Sequence, residues 1–236
     1  MAEPVLTPLP ISGYVLAGGR SSRMGTDKAL LQLAGKPLIA HAVAKLRRIC
    51  TDVYILGGNA ALAAYAPLVP DLHSGCGPVG GIEAALTHSS HDWNLILAVD
   101  LPFLPAAILH RWSARTIARD QTTRVAMFTA DGRPQPAVCL LHRQIAPSIA
   151  AAIALEEFKL LPVLEAAAHV LALQQDQPVD QILANRLTPA DFSRSDLDDG
   201  LALTAAQQAS QSLWFTNLNT RQDFALAEAC IAALDT

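Results

Sequence analysis

The run Leu95-Ile96-Leu97-Ala98-Val99 constrains this chain more than any other segment. Consecutive apolar residues leave no polar face, so the run predicts a strand buried on both sides. A sheet covered on both faces needs helices on each, which is the arrangement of α/β proteins. The run stops at Asp100, and Pro102 and Pro105 follow. The preceding segments fit the same scheme. Ser12 to Leu16 predicts a first strand, and Leu30, Leu31 and Leu33 a short extended piece. Leu38, Ala42, Val43, Leu46 and Ile49 recur at helical spacing behind Pro37, a residue suited to a helix start. Val53 to Leu56 predicts a second strand, Ala60 to Tyr65 a short helix, and Leu68-Val69 a third, brief strand. A loop from Leu72 to Gly80 then leads into a helix through Ile82 and Leu86. This alternation predicts an α/β, Rossmann-like fold: a mostly parallel central sheet with helices on both faces.

In the second half, Val125 to Thr129 and Ala137 to Leu141 predict strands flanking a turn at Asp131-Gly132. Helices are expected over Gln144 to Leu155 and Leu160 to Val170. Gln174 to Ser212 is polar, carries the acidic stretch Asp196 to Asp199 and shows no firm period. It reads as an elaborated connection within one domain spanning residues 1–236. Leu213 to Asn217 predicts a last strand and Thr220 to Leu234 a last helix.

Charge and composition narrow the function. A net charge of −4 argues against a general nucleic-acid binder. No apolar run approaches the roughly 18 residues of a spanning helix, and the first ten residues lack a basic start with an apolar core. A cytoplasmic protein with no membrane or nucleic-acid partner is expected. Cys50, Cys76, Cys139 and Cys230 form no CxxC pair, so neither a disulfide framework nor a zinc site is expected. A polyanionic small ligand fits this charge where local groups hold it.

Four sites could do so. Leu16-Ala17-Gly18-Gly19-Arg20-Ser21-Ser22-Arg23-Met24-Gly25-Thr26-Asp27-Lys28 leaves the end of a strand, where open α/β sheets place ligands. Gly18 and Gly19 let the backbone bend and a phosphate approach, and successive N–H groups form an anion cradle. Arg20, Arg23 and Lys28 supply positive charge. The stretch is neither a Walker A loop nor a GxGxxG fingerprint. Asp100, at a strand's C-terminal edge, is a candidate Mg²⁺ ligand, because that ion takes one or two carboxylates plus phosphate oxygens and water. Asp71, with Gly75-Cys76-Gly77-Pro78-Val79-Gly80-Gly81, could wrap a purine or form an ordinary connection. Asn217 and Asn219 point to one side of an extended segment. They either hold a polar substrate, or Asn219 caps the last helix with Asp223 nearby. His88 and His91 have a spacing open to a metal, but Ser89-Ser90 suggests an exposed helix end. Cys76 reads as an ordinary thiol, and His142 and His169 have no evident partner.

Together these sites resemble the molybdenum cofactor guanylyltransferase family. The residues that carry the likeness are the opening motif from Leu16 to Lys28, Gly35-Lys36-Pro37, Gly77-Pro78-Val79-Gly80-Gly81, Asp100-Leu101-Pro102-Phe103 and Asn217-Leu218-Asn219-Thr220. They occur in order across residues 12–225. The resemblance implies a fold of the nucleotide-diphospho-sugar transferase type. It implies transfer of GMP from GTP to molybdopterin or Mo-molybdopterin, with Mg²⁺ as cofactor and pyrophosphate released. Lys28 and Arg23 would touch phosphates and Asp100 would bind Mg²⁺. Leu16, Ala17, Gly18, Gly19, Asp71, Gly77, Pro78 and Gly80 would line the GTP site. Asn217 and Asn219 would lie on the molybdopterin side. Other molybdenum cofactor biosynthesis and molybdoenzyme maturation proteins are expected partners. Leu16-Ala17 and the Gly-Pro-Val-Gly-Gly segment favour GTP over CTP. The chain departs from the pattern at Leu56, where some members carry a nucleotide-contacting Asn, and at Leu101. It also departs in the length of the stretch from Gln174 to Ser212. The other readings are a related nucleotidyltransferase of the CTP:molybdopterin or sugar-phosphate type and a non-catalytic guanine-nucleotide-binding maturation factor.

Overall fold

The computed structural model describes residues 6–17, 27–57, 59–119, 122–130, 132–187 and 203–235. β1 (Leu9–Leu16) precedes a 3₁₀ turn at Lys28–Leu30 and a small ladder of β2 (Gln32–Leu33) with β3 (Lys36–Pro37). Next come α1 (Leu38–Arg47), β4 (Cys50–Leu56), a 3₁₀ segment at Ala60–Ala64, β5 (Leu68–Val69), α2 (Gly77–His88), β6 (Trp93–Ala98) and α3 (Ala106–Arg119). β7 (Val125–Ala130) and β8 (Arg133–His142) form a hairpin, followed by α4 (Ala146–Ala154) and α5 (Leu160–Gln175). α6 (Val179–Ile182), β9 (Leu183–Leu187), α7 (Ala205–Ala209) and α8 (Arg221–Glu228) complete the order, with 3₁₀ turns at Gln211–Leu213 and Ile231–Ala233.

One seven-stranded sheet runs β5-β4-β1-β6-β8-β7-β9. Only the β6–β8 and β7–β8 pairs are antiparallel, so among these strands β8 alone runs against the rest. The mostly parallel sheet expected from the alternation is therefore present. Side chains along a strand alternate between faces, and this divides the core in two. Val15, Leu95, Leu97, Phe128 and Leu140 face one cluster with Leu38, Ala42 and Leu46 of α1 and Leu109 and Trp112 of α3. Tyr14, Ile96, Met127, Cys139 and Leu141 face the other, with Val79 and Ile82 of α2, Ile149 of α4 and Leu164 and Ala168 of α5. The run through Leu95 to Leu97 is almost fully buried because both layers cover it. Among the described residues no helix is long and apolar enough to cross a membrane.

Several local expectations are corrected. The extended piece at Leu30 to Leu33 is a 3₁₀ turn followed by the β2–β3 ladder, whose turn is held by the Ala34 N–H donating to Glu228 Oε1 at 3.0 Å. The Leu72 to Gly80 loop is shorter, since α2 starts at Gly77. The polar stretch after Gln174 contains sheet structure: α5 continues to Gln175, and β9 pairs parallel with β7 at the sheet edge. Residues 188–202 lie outside the described residues. Leu213 to Asn217 is not a strand. Trp214 is buried in the first cluster, and Phe215 packs against Phe128 with ring centroids 5.3 Å apart. The last helix is broken, with α8 ending at Glu228.

Candidate active site

Four neighbouring parallel strands, β5, β4, β1 and β6, end on one edge of the sheet. Chain direction alone therefore lines up the residues beyond their ends: Asp71 after β5, Asn59 after β4, Ala17 after β1 and Asp100 after β6. Backbone bonds tie the tips together. The Ala17 N–H donates to the Leu56 carbonyl at 3.4 Å and the Val99 N–H to the Leu16 carbonyl at 3.1 Å. Open α/β sheets bind ligands at this edge.

The centre of the edge is an ion pair. Lys28 Nζ donates to Asp100 Oδ2 at 2.6 Å, with the two side chains 20% and 18% exposed. The same ammonium donates to Asn219 Oδ1 at 2.6 Å. Three groups separated by up to 191 residues in sequence thus converge on one point. Lys28 opens its 3₁₀ turn, and the Asp27 carboxylate before it accepts from the Ala29 N–H at 2.9 Å. The other Asp27 oxygen accepts from the Asn59 side chain, fastening this turn to the tip of β4. Asn219 is placed by α8. Thr220 and Asp223 form a capping box, and Asp223 Oδ2 accepts from the Asn219 and Thr220 N–H groups at 2.7 Å each. These backbone donors, first Asn219 and then Thr220, lower the Asp223 pKa. Thr220 is therefore the cap, which leaves the Asn219 side chain to meet Lys28. The Leu218 N–H donates to the Asp100 carbonyl at 3.1 Å, so the 217–219 segment is pinned to the same turn. Asn217 is exposed beside it, with no hydrogen bond to Lys28 or Asp100.

Most of the glycine segment is the first turns of α2 and not a loop. Gly77 has φ +58°, Pro78 stands in the first turn of α2, and Gly80 and Gly81 are buried within the helix. A Cβ on Gly81 would meet Leu16 Cδ2 at 3.3 Å and Leu56 Cβ at 3.5 Å. The missing side chain brings the start of α2 against the tips of β1 and β4. There the helix's first N–H groups and positive dipole end favour an anion. Gly81→Ala is expected to be near neutral in a urea melt, because relief of glycine's roughly 1 kcal/mol helix penalty offsets a yielding contact with Leu16. Gly81→Leu has no such room and should cost about 1–3 kcal/mol. Asp71 stands two residues beyond β5 on the surface, and partial loss of hydration there raises its carboxyl above the usual value. Gly18, Gly19, Arg20 and Arg23 lie outside the described residues.

The remaining candidates have structural partners. The Tyr14 hydroxyl and His88 Nδ1 lie 3.3 Å apart, with His88 edge-on to Tyr54 at 4.5 Å. His91 Nδ1 lies 3.1 Å from Ser12 Oγ, and α2 ends at His88, where Ser89-Ser90 suggested a helix end. His142 Nδ1 accepts from the Gln144 N–H, and His169 Nδ1 lies 2.8 Å from the Glu165 carbonyl. Cys76 is the buried N-cap residue of α2, and the other three cysteines are also free. Among the described residues no three His, Cys, Asp or Glu side chains cluster as a metal cage. Sequence reasoning missed Asn59 and Lys45. Lys45 carried a signal, since it stands seven residues after Leu38, on the face of α1 that should be apolar.

A parallel sheet beyond whose tips a lysine, an aspartate and an asparagine meet has the chemistry to receive an anionic nucleotide. The comparisons agree. The MobA-like NTP transferase domain matches residues 13–170, and the chain belongs to that family. It is 34% identical over 166 residues to a molybdenum cofactor guanylyltransferase of Serratia proteamaculans (strain 568), covering 66% of this chain and 80% of that protein. It is 37% identical over 163 residues to the molybdenum cofactor guanylyltransferase of Rhizobium johnstonii, covering 66% and 75%. The fold matches the crystal structure of molybdopterin-guanine dinucleotide biosynthesis protein A from Archaeoglobus fulgidus with a TM-score of 0.70 at 21% identity, over 94% of this chain and 100% of that one.

Proposed function

We infer that this chain is a molybdenum cofactor guanylyltransferase, transferring GMP from GTP to molybdopterin or Mo-molybdopterin. The observation that carries this reading is the 2.6 Å contact of Lys28 with both Asp100, beyond the tip of β6, and Asn219, before α8. Had Lys28 and Asp100 stood on opposite sides of the sheet, the assignment would have failed. The relatives from Serratia and Rhizobium support the choice of nucleotide and acceptor.

The donor set suits Mg²⁺. Asp100 offers a hard carboxylate oxygen and Asn219 an amide oxygen, and the small number of protein ligands leaves room for phosphate oxygens and water. Asp100 would hold the ion, which when bound offsets the repulsion between two anionic reactants. A terminal phosphate oxygen of molybdopterin attacks the α-phosphorus of GTP. The new P–O bond forms as the α–β bridge breaks, and the electron pair leaves with pyrophosphate. Lys28 stabilises charge on that leaving group, aided by Arg23 and the Gly18 and Gly19 amides. The acceptor phosphate is already ionised near neutral pH, so no side chain need act as base. Asp71, Leu16, Ala17 and the start of α2 at Gly77, Pro78 and Gly80 border the nucleotide, and Asn217 and Asn219 face the acceptor. Positioning and electrostatics supply most of the rate, as in phosphoryl transfer generally. Other proteins of molybdenum cofactor biosynthesis and molybdoenzyme maturation would supply the acceptor and take up the product.

The test is pyrophosphate release from protein incubated with GTP, Mg²⁺ and molybdopterin. Release is expected with GTP in preference to CTP, and only when molybdopterin is present. Release with a sugar 1-phosphate in its place would move the assignment to another acceptor. Tight GTP binding without turnover on any acceptor would make the chain a non-catalytic nucleotide binder.

A further inference from the structure

We infer that Lys45 of α1 is a positioning residue that holds the Asp100-Leu101-Pro102 turn in its working place. The inference rests on the proposed catalytic role of Asp100.

Lys45 is 2% exposed, in the first core layer. Its Nζ donates to the Pro102 carbonyl at 2.8 Å and reaches the Leu101 carbonyl at 3.4 Å. It also lies 3.6 Å from Asp235 Oδ2. An ammonium has three N–H donors and no acceptor, and Lys45 faces three oxygen acceptors. Two of them belong to the residues directly after Asp100. Pro102 has no N–H, so this turn has fewer means of bonding itself. The adjacent Asp100 carbonyl is held from the other side by the Leu218 N–H at 3.1 Å. Three consecutive carbonyls, at Asp100, Leu101 and Pro102, are therefore gripped by groups from outside the turn.

Asp235 extends the clamp. Its carboxylate accepts from the Ala106 N–H at 3.1 Å, at the start of α3, and from Gln207 Nε2 at 3.1 Å. Arg48 Nη1 lies 4.0 Å from it. α1, the turn after β6, α3, α7 and residue 235 thus meet at one buried charge pair. Burial pushes the Lys45 ammonium below the usual lysine value, and Asp235 works against that. Burying a charge is costly unless it is paired and hydrogen-bonded. A leucine would fill this place on α1 at less cost, so the lysine is explained by what it bonds. Those bonds fix the backbone from which the Asp100 side chain reaches Lys28.

The test compares wild-type protein with Lys45→Met, which keeps the length and apolar stem of the side chain. Two readouts are used. The first is hydrogen exchange of the segment spanning residues 99–104, followed by mass spectrometry with no nucleotide added. Exchange there should speed up by about tenfold or more while strands β1 and β4 keep wild-type protection. The second is turnover with GTP, Mg²⁺ and molybdopterin. A small misplacement of Asp100 should lower kcat by about 10- to 100-fold, with KM for GTP within about twofold. Lys45→Gln, which keeps a shorter N–H donor, covers the case in which the methionine variant does not fold, and it should shift both readouts the same way. If wild-type protein shows no turnover, the functional reading fails, and the exchange experiment alone decides whether Lys45 holds the turn. Wild-type exchange at residues 99–104 in a folded variant would overturn the inference. So would exchange raised evenly across the sheet, or an unchanged kcat in a variant whose turn has loosened.

Discussion

Asp100→Ala is expected to lower turnover by more than about 10²-fold, the scale seen when one preorganised charge-stabilising group is removed. The side chain projects from the turn after β6 and meets Lys28 at 2.6 Å. Its removal takes away the carboxylate proposed for the divalent ion and frees Lys28 from one of its two partners. The fold should survive. The freed Lys28 ammonium keeps Asn219 Oδ1 as a partner and some access to water, so it is not left as an unpaired buried charge. A thermal melt close to wild type, together with the loss of turnover, would separate chemistry from unfolding. Raising Mg²⁺ should restore little activity, because the ligand is gone rather than weakened. Turnover unchanged at limiting Mg²⁺ would show that Asp100 does not hold the metal.

Lys28→Ala should reduce kcat/KM for GTP by about 10²-fold. Its ammonium sits among two acceptors and, in the proposed mechanism, turns to the phosphates. Lys28→Arg should recover only part of the loss, since a planar fork does not reproduce a compact point charge held between two oxygens. The Lys28→Ala/Asp100→Ala double variant should lose less than the product of the two single effects, because the residues touch. Kinetics with GTP equal to wild type would reject a phosphate role for Lys28. Additive losses would mean that the two act separately.

Much of the frame was legible because its signals are local. The unbroken apolar run at Leu95 to Val99 needed cover on both faces, and β6 has it. Short apolar runs separated by helical periodicity made a parallel sheet the economical answer, and strand direction then placed Asp71 and Asp100 on one edge. The misses have physical causes. Glycines in α2 read as a loop because glycine is a weak helix former, but the close approach of Gly81 to Leu16 and Leu56 outweighs that preference. β9 was hidden because an edge strand with one paired side need not be apolar on both faces. Trp214 and Phe215 look like strand residues, yet they serve as core plugs. Lys45 was visible as a charge on an apolar helix face, but what it does there is legible only once its acceptors, 56 and 57 residues away, are known. Lys28 and Asp100 stood out singly, and folding supplied their contact.

That contact has a consequence for how substrate arrives. A carboxylate already engaged by an ammonium is a poor trap for a free divalent ion, and an ammonium already engaged by a carboxylate is a poor trap for bare triphosphate. A nucleotide that brings its own cation satisfies both at once, exchanging one internal ion pair for two external ones. Under the roles proposed for Lys28 and Asp100, the site would favour the metal–nucleotide complex as a single visitor over either component travelling alone.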